Sequence, residues 1–402
     1  MIPTIDEKIG IFVYSTKFSG CRGIIKKNID DFIVKEILSN KIKYLLTNND
    51  YGYSLYKLKK WNMDTIHALN HISKRYKIRL KAIGLKDARA ITEQYVCTIN
   101  KTKIKENIKE KHYNLNPVCL LSKPLTKKYM IGNRFKIKIS NSNSKLAKFE
   151  EYDEILNFFG YQRFGSKRPI THLIGKAILQ KKFMKAIKIL LSSTSKYDTK
   201  QNIEIRKKLD DESNYIKYIN KIPSKMDLEK IILREMILHK NPLRSLRSLP
   251  LFIRRFFIQS YQSFLFNKTL SMATKNNEVY KPLENDVCFD EEFKLCKFSS
   301  VSNNIRHKLA VPIIGFTYYK KTRFHQYINK ILNDERISPK DFFINDMQES
   351  SNEGGFRHAL INYDDDLYVN DNIIKFTLNR GCFATIVLRE IIKPDDPIKS
   401  GF

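Results

Sequence analysis

Residues Gly84–Gln94 read Gly-Leu-Lys-Asp-Ala-Arg-Ala-Ile-Thr-Glu-Gln and form the densest polar run in an ordered part of the chain. The run lies between a predicted helix and a predicted strand, where Gly84 permits a tight turn. Asp87 lies in that turn beside Lys86 and Arg89, and neighbouring cations favour an ionised carboxylate. The residues alone leave two interpretations open: Asp87 is a catalytic carboxylate, or it only caps the turn.

Alternating strand and helix patterns surround this turn. Phe32–Ile37 and Tyr95–Ile99 are rich in β-forming residues and predict strands. Between them, residues 66–76 carry apolar side chains at helical spacing, and the run Asn62-Met63-Asp64 can cap the start of that helix. Apolar residues alternate with Lys and Ser over Phe135–Ser140, which predicts a strand with one buried face and one solvated face.

The middle of the chain changes to helical patterns. Residues 171–191 have apolar positions at helical spacing, and a second helical run extends from Pro250 to about Ser271. A more polar stretch, residues 192–220, lies between them. Near the end, Phe383–Ile392 is rich in β-branched residues and predicts a strand. A strand-rich start and end around a helix-rich middle predict one α/β domain of α+β type, interrupted by a second domain.

The charge balance indicates a polyanionic partner. The 402 residues include 73 Lys and Arg against 42 Asp and Glu, a formal net charge of +31. Such an excess attracts nucleic acid through phosphate neutralisation. Eleven of the cations lie between Lys101 and Lys138, against only Glu106 and Glu110. A general bias toward Lys, Asn and Ile would spread lysines over every surface, and this clustering argues against bias alone.

Two further segments combine aromatic or apolar residues with polar ones. Asn157–Gly165 interleaves Phe and Tyr with Asn, Gln and Arg, which suits stacking and hydrogen bonding to a flipped nucleotide. The alternative is an aromatic core cluster.

Gly381–Glu390 places Arg389 in an otherwise apolar predicted strand, where a buried cation requires a carboxylate partner. The alternative there is an arginine at the exposed end of the strand.

Several common motifs for cofactor binding, metal binding and nucleophilic catalysis are absent from the sequence. There is no GxGxxG after a strand, no GxxxxGK[ST], no HExxH and no GxSxG. His67 and His71 are four residues apart but have no third ligand nearby. The six cysteines show no CxxC spacing, the start has no signal-peptide pattern, and no apolar run reaches the ~18–20 residues of a membrane span. We therefore expect a reduced, soluble, cytoplasmic protein without metal, cofactor or membrane association.

In this order, GLKDARAITEQ, NFFGYQRFG and GCFATIVLRE resemble the motifs of the TruD family of tRNA pseudouridine synthases. FIVKE at Phe32–Glu36, QSYQSFLFN at Gln259–Asn267 and GGFR at Gly354–Arg357 also resemble segments of that family. The resemblance extends from about Gly23 to Glu390, nearly the whole chain. The GLKD-A-x-T-x-Q segment is close to diagnostic by itself.

The resemblance implies roles for four residues. Asp87 takes the position of the family's catalytic nucleophile. Asn157 takes the position of an asparagine that contacts the substrate, and Phe32 and Phe383 take those of two phenylalanines that line the nucleotide pocket. We also expect Arg389 to pair with Asp87 and to keep its carboxylate charged and oriented.

The resemblance also implies a fold and a reaction. The fold is a pseudouridine-synthase α/β core with a mixed, largely antiparallel sheet, residues 1–182 and 359–402, interrupted by a helix-rich TRUD insertion domain at 183–358. The reaction is isomerisation of one uridine of tRNA, expected at tRNA position 13, by a monomer. The alternatives are a non-catalytic RNA-binding protein or RNA chaperone, and an RNA hydrolase with paired carboxylates.

Overall fold

The computed structural model of the chain describes residues 1–143, 146–300, 307–363 and 367–402. The strands are β1 (Phe32–Leu38), β2 (Tyr53–Lys60), β3 (Leu80–Ala82), β4 (Ile91–Thr98), β5 (Ile108–Glu110), β6 (Tyr113–Leu121), β7 (Met130–Lys138), β8 (Glu154–Leu156), β9 (Val287–Phe289), β10 (Leu295–Lys297), β11 (Lys308–Ile313), β12 (Gly355–His358), β13 (Leu360–Asn362), β14 (Tyr368–Asn370) and β15 (Ile373–Asn379). The α-helices are α1 (Thr4–Lys8), α2 (Thr65–Tyr76), α3 (Thr171–Leu179), α4 (Phe183–Ser192), α5 (Lys200–Lys208), α6 (Tyr215–Tyr218), α7 (Asp227–His239), α8 (Pro242–Arg247), α9 (Leu251–Lys275), α10 (His325–Glu335) and α11 (Ala384–Ile392).

The chain divides into two compact units, which we call the sheet unit and the helical unit. The sheet unit comprises Thr16–Ile155 and Ile361–Phe402. The helical unit comprises Met1–Ser15 and Leu156–Leu360. Each unit is therefore formed from two separate stretches of chain.

Nine strands form the sheet of the sheet unit, in the order β14-β15-β7-β1-β4-β2-β6-β5, with β3 paired to β4. Strands β1 and β4 are parallel, and the other neighbouring pairs of this sheet are antiparallel. The mixed, largely antiparallel sheet that the sequence predicts is therefore confirmed. The parallel pair lies at the centre, and β4 begins directly after the loop of residues 83–90, which we call the Asp87 loop.

One face of this sheet is apolar, and the other is solvated along β7 but covered in part by a second apolar cluster that includes Leu55 and Cys97. On β7, Phe135 and Ile137 are buried, whereas Lys136 and Lys138 are exposed, as the alternation predicts. Helix α2 packs its buried side chains against those of β2, β4 and β6 on the apolar face. Each apolar side chain buried in this way stabilises the fold by roughly 1.5–3 kcal/mol.

Helix α2 begins where the sequence predicts. Asp64 is the N-cap, and its side chain accepts a hydrogen bond from the backbone N–H of His67 at 3.0 Å. This bond satisfies one of the donors that a helix leaves unpaired at its start. The first helical residue, Thr65, then lies beside the Asp87 loop, where its Oγ1 accepts from the backbone N–H of Lys86 at 2.9 Å.

Helix α9 is the longest element of the helical unit, with 25 residues that follow Pro250 as predicted. Helix α3 crosses it at close range, because a Cβ on Gly175 would lie 2.1 Å from the carbonyl oxygen of Phe257. The predicted helix over residues 171–191 is two helices, since Lys181 between α3 and α4 adopts a left-handed φ of 56°. Within the described ranges, no helix combines the length and the apolar character that crossing a membrane requires.

The first residues of the chain also belong to the helical unit, which the sequence patterns do not predict. Buried Asp6 accepts a hydrogen bond from the Tyr161 hydroxyl at 2.7 Å, and the backbone N–H of Phe12 donates to Ser271 Oγ at 3.1 Å. The chain crosses between the units at residues 15–16, 155–156 and 360–361. The last crossing lies close to the predicted edge at 359. The crossing at 155–156 precedes the predicted edge at 182 because α3 packs on α9.

The predicted strand at Phe383–Ile392 is wrong, because residues 384–392 form helix α11. Eight of the nine helical residues are buried, and periodicity cannot separate a short helix that is buried on every side from a buried strand. Arg389 is 0% exposed, and its Nη1 donates to Glu390 Oε1 at 3.0 Å. Glu390 is therefore one carboxylate that this buried arginine contacts, and the expected pairing of Arg389 with Asp87 stays a prediction.

Candidate active site

The Asp87 loop presents an accessible carboxylate beside a shielded cation. The Asp87 side chain is 52% exposed, and its Oδ2 lies 3.9 Å from Nζ of Lys26, whose side chain is only 11% exposed. Burial lowers the pKa of Lys26, while the charge of Asp87 raises it and that of Arg89 lowers it. A cation held at this distance favours the ionised carboxylate. Such a group can attack an electrophilic carbon or stabilise developing positive charge.

Lys26 also connects Asp87 with Phe32. Its Nζ lies 4.7 Å from the centroid of the Phe32 ring, within the range of a cation–π interaction. The backbone of Lys26 is in the left-handed region, with φ of 58°, which is uncommon for a residue with a long side chain. Sequence reasoning missed Lys26, because nothing in the sequence distinguishes it from its neighbour Lys27.

The lysine next to Asp87 in sequence has another partner. Lys86 Nζ donates to Oε1 of buried Glu36 at 3.0 Å, and the Lys86 side chain is 10% exposed. The FIVKE segment thus contributes the carboxylate that holds Lys86. Lys26 is a cation beside Asp87 that the sequence did not indicate, whereas the ammonium of Lys86 pairs with Glu36.

Thr65 and Gln94 link the Asp87 loop to α2 and β4. Gln94 Nε2 donates to the carbonyl oxygen of Gly84 at 3.0 Å, and Gln94 Oε1 accepts from the Thr65 hydroxyl at 2.8 Å. Thr65 Oγ1 accepts from the backbone N–H of Lys86. Both side chains are buried, so these hydrogen bonds are shielded from water. They hold the backbone at Gly84 and Lys86, directly before Asp87.

Lys60 is the last residue of β2, and its side chain is fully buried. Its ammonium donates to three backbone carbonyl oxygens, those of Met63 at 2.9 Å, Lys86 at 3.1 Å and Asp87 at 2.9 Å. Burial is the largest influence on this group and lowers its pKa to about 8. Sequence reasoning missed Lys60, because among 73 Lys and Arg only the tertiary structure shows which one is buried.

The two phenylalanines expected in the nucleotide pocket differ in exposure. Phe383 is half-buried and forms the N-cap of α11, directly after Gly381 and Cys382. Phe32 is 6% exposed and packs edge-on against Phe135, with ring centroids 6.2 Å apart. Both belong to the sheet unit, as does Asp87. Lys26 contacts both Asp87 and the ring of Phe32, and part of the Phe383 side chain is accessible.

Asn157 belongs to the helical unit and is 1% exposed. Its Nδ2 donates to the carbonyl oxygen of His358 at 3.1 Å, and its Oδ1 accepts from Arg357 Nη2 at 2.5 Å. Its backbone carbonyl oxygen also accepts from Arg357 Nε, at 3.0 Å. The GGFR segment therefore supplies the arginine that holds Asn157. A side-chain amide has a second N–H and a second lone pair beyond these two bonds.

The aromatic residues that follow Asn157 form part of a core. Phe158, Tyr161 and Phe164 are each 1% exposed or less. The guanidinium of Arg357 lies over the ring of Phe159, 4.1 Å from its centroid. The aromatic side chains of this segment therefore pack in a core, and the predicted contact of Asn157 with the substrate stays a prediction.

The basic segment at residues 101–138 lies on the surface of the sheet unit, and all eleven of its Lys and Arg side chains are exposed. On the solvated face of the sheet, Lys136 stands opposite Lys375 and Arg134 stands opposite Lys35. We call these four residues the basic face. Like charges directly opposite each other destabilise a sheet, and a bound polyanion would relieve that repulsion.

In the part of the chain that the structure describes, no group of three His, Cys, Asp or Glu is placed to hold a metal ion. His67 contacts Asp64 through Nδ1, and His71 Nδ1 lies 2.9 Å from the hydroxyl of Tyr113. The histidine pair on α2 thus has other partners.

The mixed sheet, the anchored Asp87 loop and the basic surface agree with an RNA-modifying enzyme, and comparison with a solved structure narrows the class to pseudouridine synthases. A crystal structure from Methanosarcina mazei, described as tRNA pseudouridine synthase D (TruD), matches this chain with a TM-score of 0.78 at 26% identity. The match covers 99% of each chain.

The chain belongs to the TruD family, because the model of tRNA pseudouridine synthase D (TruD) matches residues 8–391. Proteins with the name tRNA pseudouridine synthase D are similar over nearly their whole length. One from Pyrobaculum islandicum is 25% identical, covering 100% of this chain and 99% of the relative, and one from Nanoarchaeum equitans is 29% identical, covering 92% and 99%. The predicted family, fold class and enzyme class, an isomerase that acts on a uridine of tRNA, are therefore confirmed.

Proposed function

We propose that Asp87 is the catalytic nucleophile of this tRNA pseudouridine synthase and acts on a uridine flipped out of the RNA stack. The accessible carboxylate carries the proposal: Asp87 is 52% exposed on an anchored loop, with the Lys26 ammonium 3.9 Å away. A stacked base is out of reach of such a side chain, so the nucleotide must leave the stack. Position 13 of tRNA is the expected target, from the family resemblance.

The reaction breaks the N1–C1′ bond of uridine and forms a C5–C1′ bond. A carboxylate oxygen of Asp87 forms a transient bond to the substrate and is released when the new bond is complete, which regenerates the enzyme. C5 loses its hydrogen as a proton, and N1 gains one. Because no electrons are transferred overall, the reaction requires no redox partner and no cofactor.

Lys26 is proposed to orient the Asp87 carboxylate, because its ammonium lies 3.9 Å from Oδ2. The expected pairing of Asp87 with Arg389 stays a proposal beside it. Phe383 stacks on or contacts the flipped base with the part of its ring that is exposed. Phe32 lines the pocket from a nearly buried position and supports the Lys26 ammonium with its ring face.

Asn157 is proposed as a contact to the uracil edge. The amide N–H and lone pair that remain beyond its bonds to His358 and Arg357 match one donor and one acceptor of uracil. Because Asn157 is 1% exposed, this contact requires a shift of the side chains that cover it.

The basic face and the exposed lysines of residues 101–138 are proposed to bind phosphates of the tRNA backbone. Such contacts contribute affinity and little sequence choice. If about six phosphates are neutralised, tRNA affinity falls by roughly a thousandfold between about 50 and 200 mM salt. An affinity that is independent of salt would contradict this role.

Tritium release from transcribed tRNA that carries [5-³H]uridine tests the proposal directly, because the C5 hydrogen is lost in the reaction. Wild-type protein is expected to release tritium and Asp87→Asn to release none, while both bind tRNA with similar affinity. Sequencing of the product for pseudouridine then identifies the modified position. Tight tRNA binding without release by either protein would instead support a non-catalytic RNA-binding function.

Three further statements remain proposals. Residues 1–182 and 359–402 are proposed as the catalytic domain and residues 183–358 as the TRUD insertion domain. This division by role differs from the two compact units at residues 1–15, 156–182 and 359–360. The protein acts as a monomer, which light scattering of the purified protein tests. It acts on tRNA in the cytoplasm, which cell fractionation tests.

A further inference from the structure

We infer that Lys60 is a positioning residue for Asp87, and that its ammonium sets the backbone orientation in which the Asp87 carboxylate faces the substrate. The inference rests on the proposed role of Asp87. Lys60 binds the carbonyl oxygen of Asp87 itself, at 2.9 Å, and that of the preceding residue, Lys86, at 3.1 Å. The carbonyl groups of the two peptide bonds on either side of Asp87 therefore accept from the same ammonium group.

The third acceptor of Lys60 comes from another segment. Its ammonium also donates to the carbonyl oxygen of Met63, two residues before the start of α2, at 2.9 Å. An ammonium has three N–H donors, and these three carbonyl oxygens use all of them. Lys60 thus ties the Asp87 loop to the residues that precede α2 and to the end of β2. Rotation of the Asp87 peptide would leave a buried charge short of one partner, which is costly.

A neutral group could hold the loop without the cost of burying a charge. Thr65 and Gln94 already do so for Lys86 and Gly84 through uncharged hydrogen bonds. Lys60, at 0% exposure and bonded to the carbonyl oxygen of Asp87, adds a positive potential at the loop that these uncharged groups do not provide. Lys26 lies beside the carboxylate of Asp87, and Lys60 binds the backbone carbonyl oxygen of Asp87.

The protonation state of Lys60 connects this geometry to pH. The charged groups that act on it are Asp64 at the start of α2 and Asp87 in the loop, which favour its charged form, and Lys86, which disfavours it. Together with burial they lower the pKa of Lys60 to about 8. Above that pH the group loses one N–H donor and its positive charge, so the catalytic step is expected to slow while tRNA binding is unchanged.

Lys60→Met tests the inference, with Lys59→Met as the matched control on the same strand, where the side chain is exposed. The Lys60 variant is expected to lower kcat by roughly 100-fold, as a misplaced catalytic group does, with KM for tRNA within about threefold of wild type. The control is expected to behave as wild type. A Lys60→Met protein with the kcat of the control would overturn the inference, and so would a variant that loses tRNA binding and kcat together.

Lys60→Gln is the second variant, because its amide keeps two N–H donors and supports folding where Met does not. The wild-type single-turnover rate is expected to fall above about pH 8, and Lys60→Gln is expected to be slower at pH 7 but without that fall. A wild-type rate that stays level to about pH 9.5, or a fall that persists in Lys60→Gln, contradicts the inference. Failure of the proposed function is distinct, because wild-type protein would then release no tritium at any pH.

Discussion

The Asp87 loop and the segment at Asn157 carry comparable sequence motifs, yet their environments are opposite. Around Asp87 the supporting side chains are buried and the carboxylate is 52% exposed. Around Asn157 the amide itself is 1% exposed, and it is held by Arg357 and His358. The comparison shows that two motifs of similar composition can leave one polar side chain accessible and bury the other.

The difference has an energetic basis. A half-exposed carboxylate contributes little to stability, so it can be exchanged without loss of fold. A buried amide with satisfied bonds leaves its partners unpaired when it is removed, which costs about 1–3 kcal/mol. Substitutions in the two regions are therefore expected to separate: those at the loop change turnover, and those at Asn157 change stability.

The largest effect is expected for Asp87→Asn. This change keeps the shape of the side chain and removes its charge, so turnover is expected to fall by more than roughly 1,000-fold. The melting temperature is expected to stay within about 2 °C of wild type, because the side chain is 52% exposed. Tritium release measures turnover, and differential scanning fluorimetry measures the melting temperature. A large loss of stability would assign Asp87 to packing and break the contrast with Asn157.

Acid is expected to destabilise the helical unit. Burial lowers the pKa of His172 and of His358 from 6.5 to about 4. Between these pH values the unfolded chain binds more protons than the folded chain, so stability is lost as the pH falls from about 6.5 to about 4, on the order of a few kcal/mol. Thermal unfolding from pH 7.5 down to about pH 4.5 checks this. In His172→Phe, stability is expected to depend less steeply on pH. A pH dependence equal to that of wild type would exclude His172 as its source.

Asn157→Ala is expected to lower the free energy of unfolding by about 1–3 kcal/mol, because Arg357 and the carbonyl group of His358 each lose a partner. Asn157→Asp is the matched variant, since its carboxylate still accepts from Arg357. Urea denaturation measures both. Should Asn157→Ala keep full stability and lose turnover, its proposed contact with uracil would outweigh its structural role.

Lys26→Met is expected to lower kcat by roughly tenfold, a cost of about 1.4 kcal/mol, because Asp87 loses the cation 3.9 Å from its carboxylate. Lys27→Met, at an exposed neighbouring position, is the control. Single-turnover rates at saturating tRNA measure the effect. Equal rates for the two variants would remove Lys26 from the site.

The smallest effect is expected on the basic face. Lys136→Glu is expected to raise KM for tRNA by a few fold and to reduce the slope of log affinity against log salt by about one, with kcat unchanged. Lys41→Glu, at an exposed position outside this face, is the control. Binding titrations at several salt concentrations check this. A uniform effect of both substitutions would mean that net charge, and not this face, determines binding.

Much of the fold followed from local patterns. The strands β1 and β7 and the long helix α9 lie where spacing and propensity predict them. The cap of α2 lies within the predicted run of residues 62–64, and β4 begins four residues before the strand predicted at Tyr95–Ile99. The error at α11 has a clear cause, since a short apolar run gives the same pattern as a buried helix and as a buried strand. The membership of Met1–Ser15 in the helical unit depends on contacts such as Asp6 with Tyr161, which link residues far apart in sequence.

The sequence by itself determined the family, because motifs in a fixed order are local properties of the chain, and the resemblance to that family implied the class of sheet. Only the tertiary structure decided which lysines matter. Lys26 and Lys60 reach the Asp87 loop from positions 61 and 27 residues away in sequence, and their burial beside it separates them from the other cations. The exposure of Asp87 and the burial of Asn157 were likewise settled by long-range packing. Burial and charge pairing depend on which distant segments meet, and no local pattern records that.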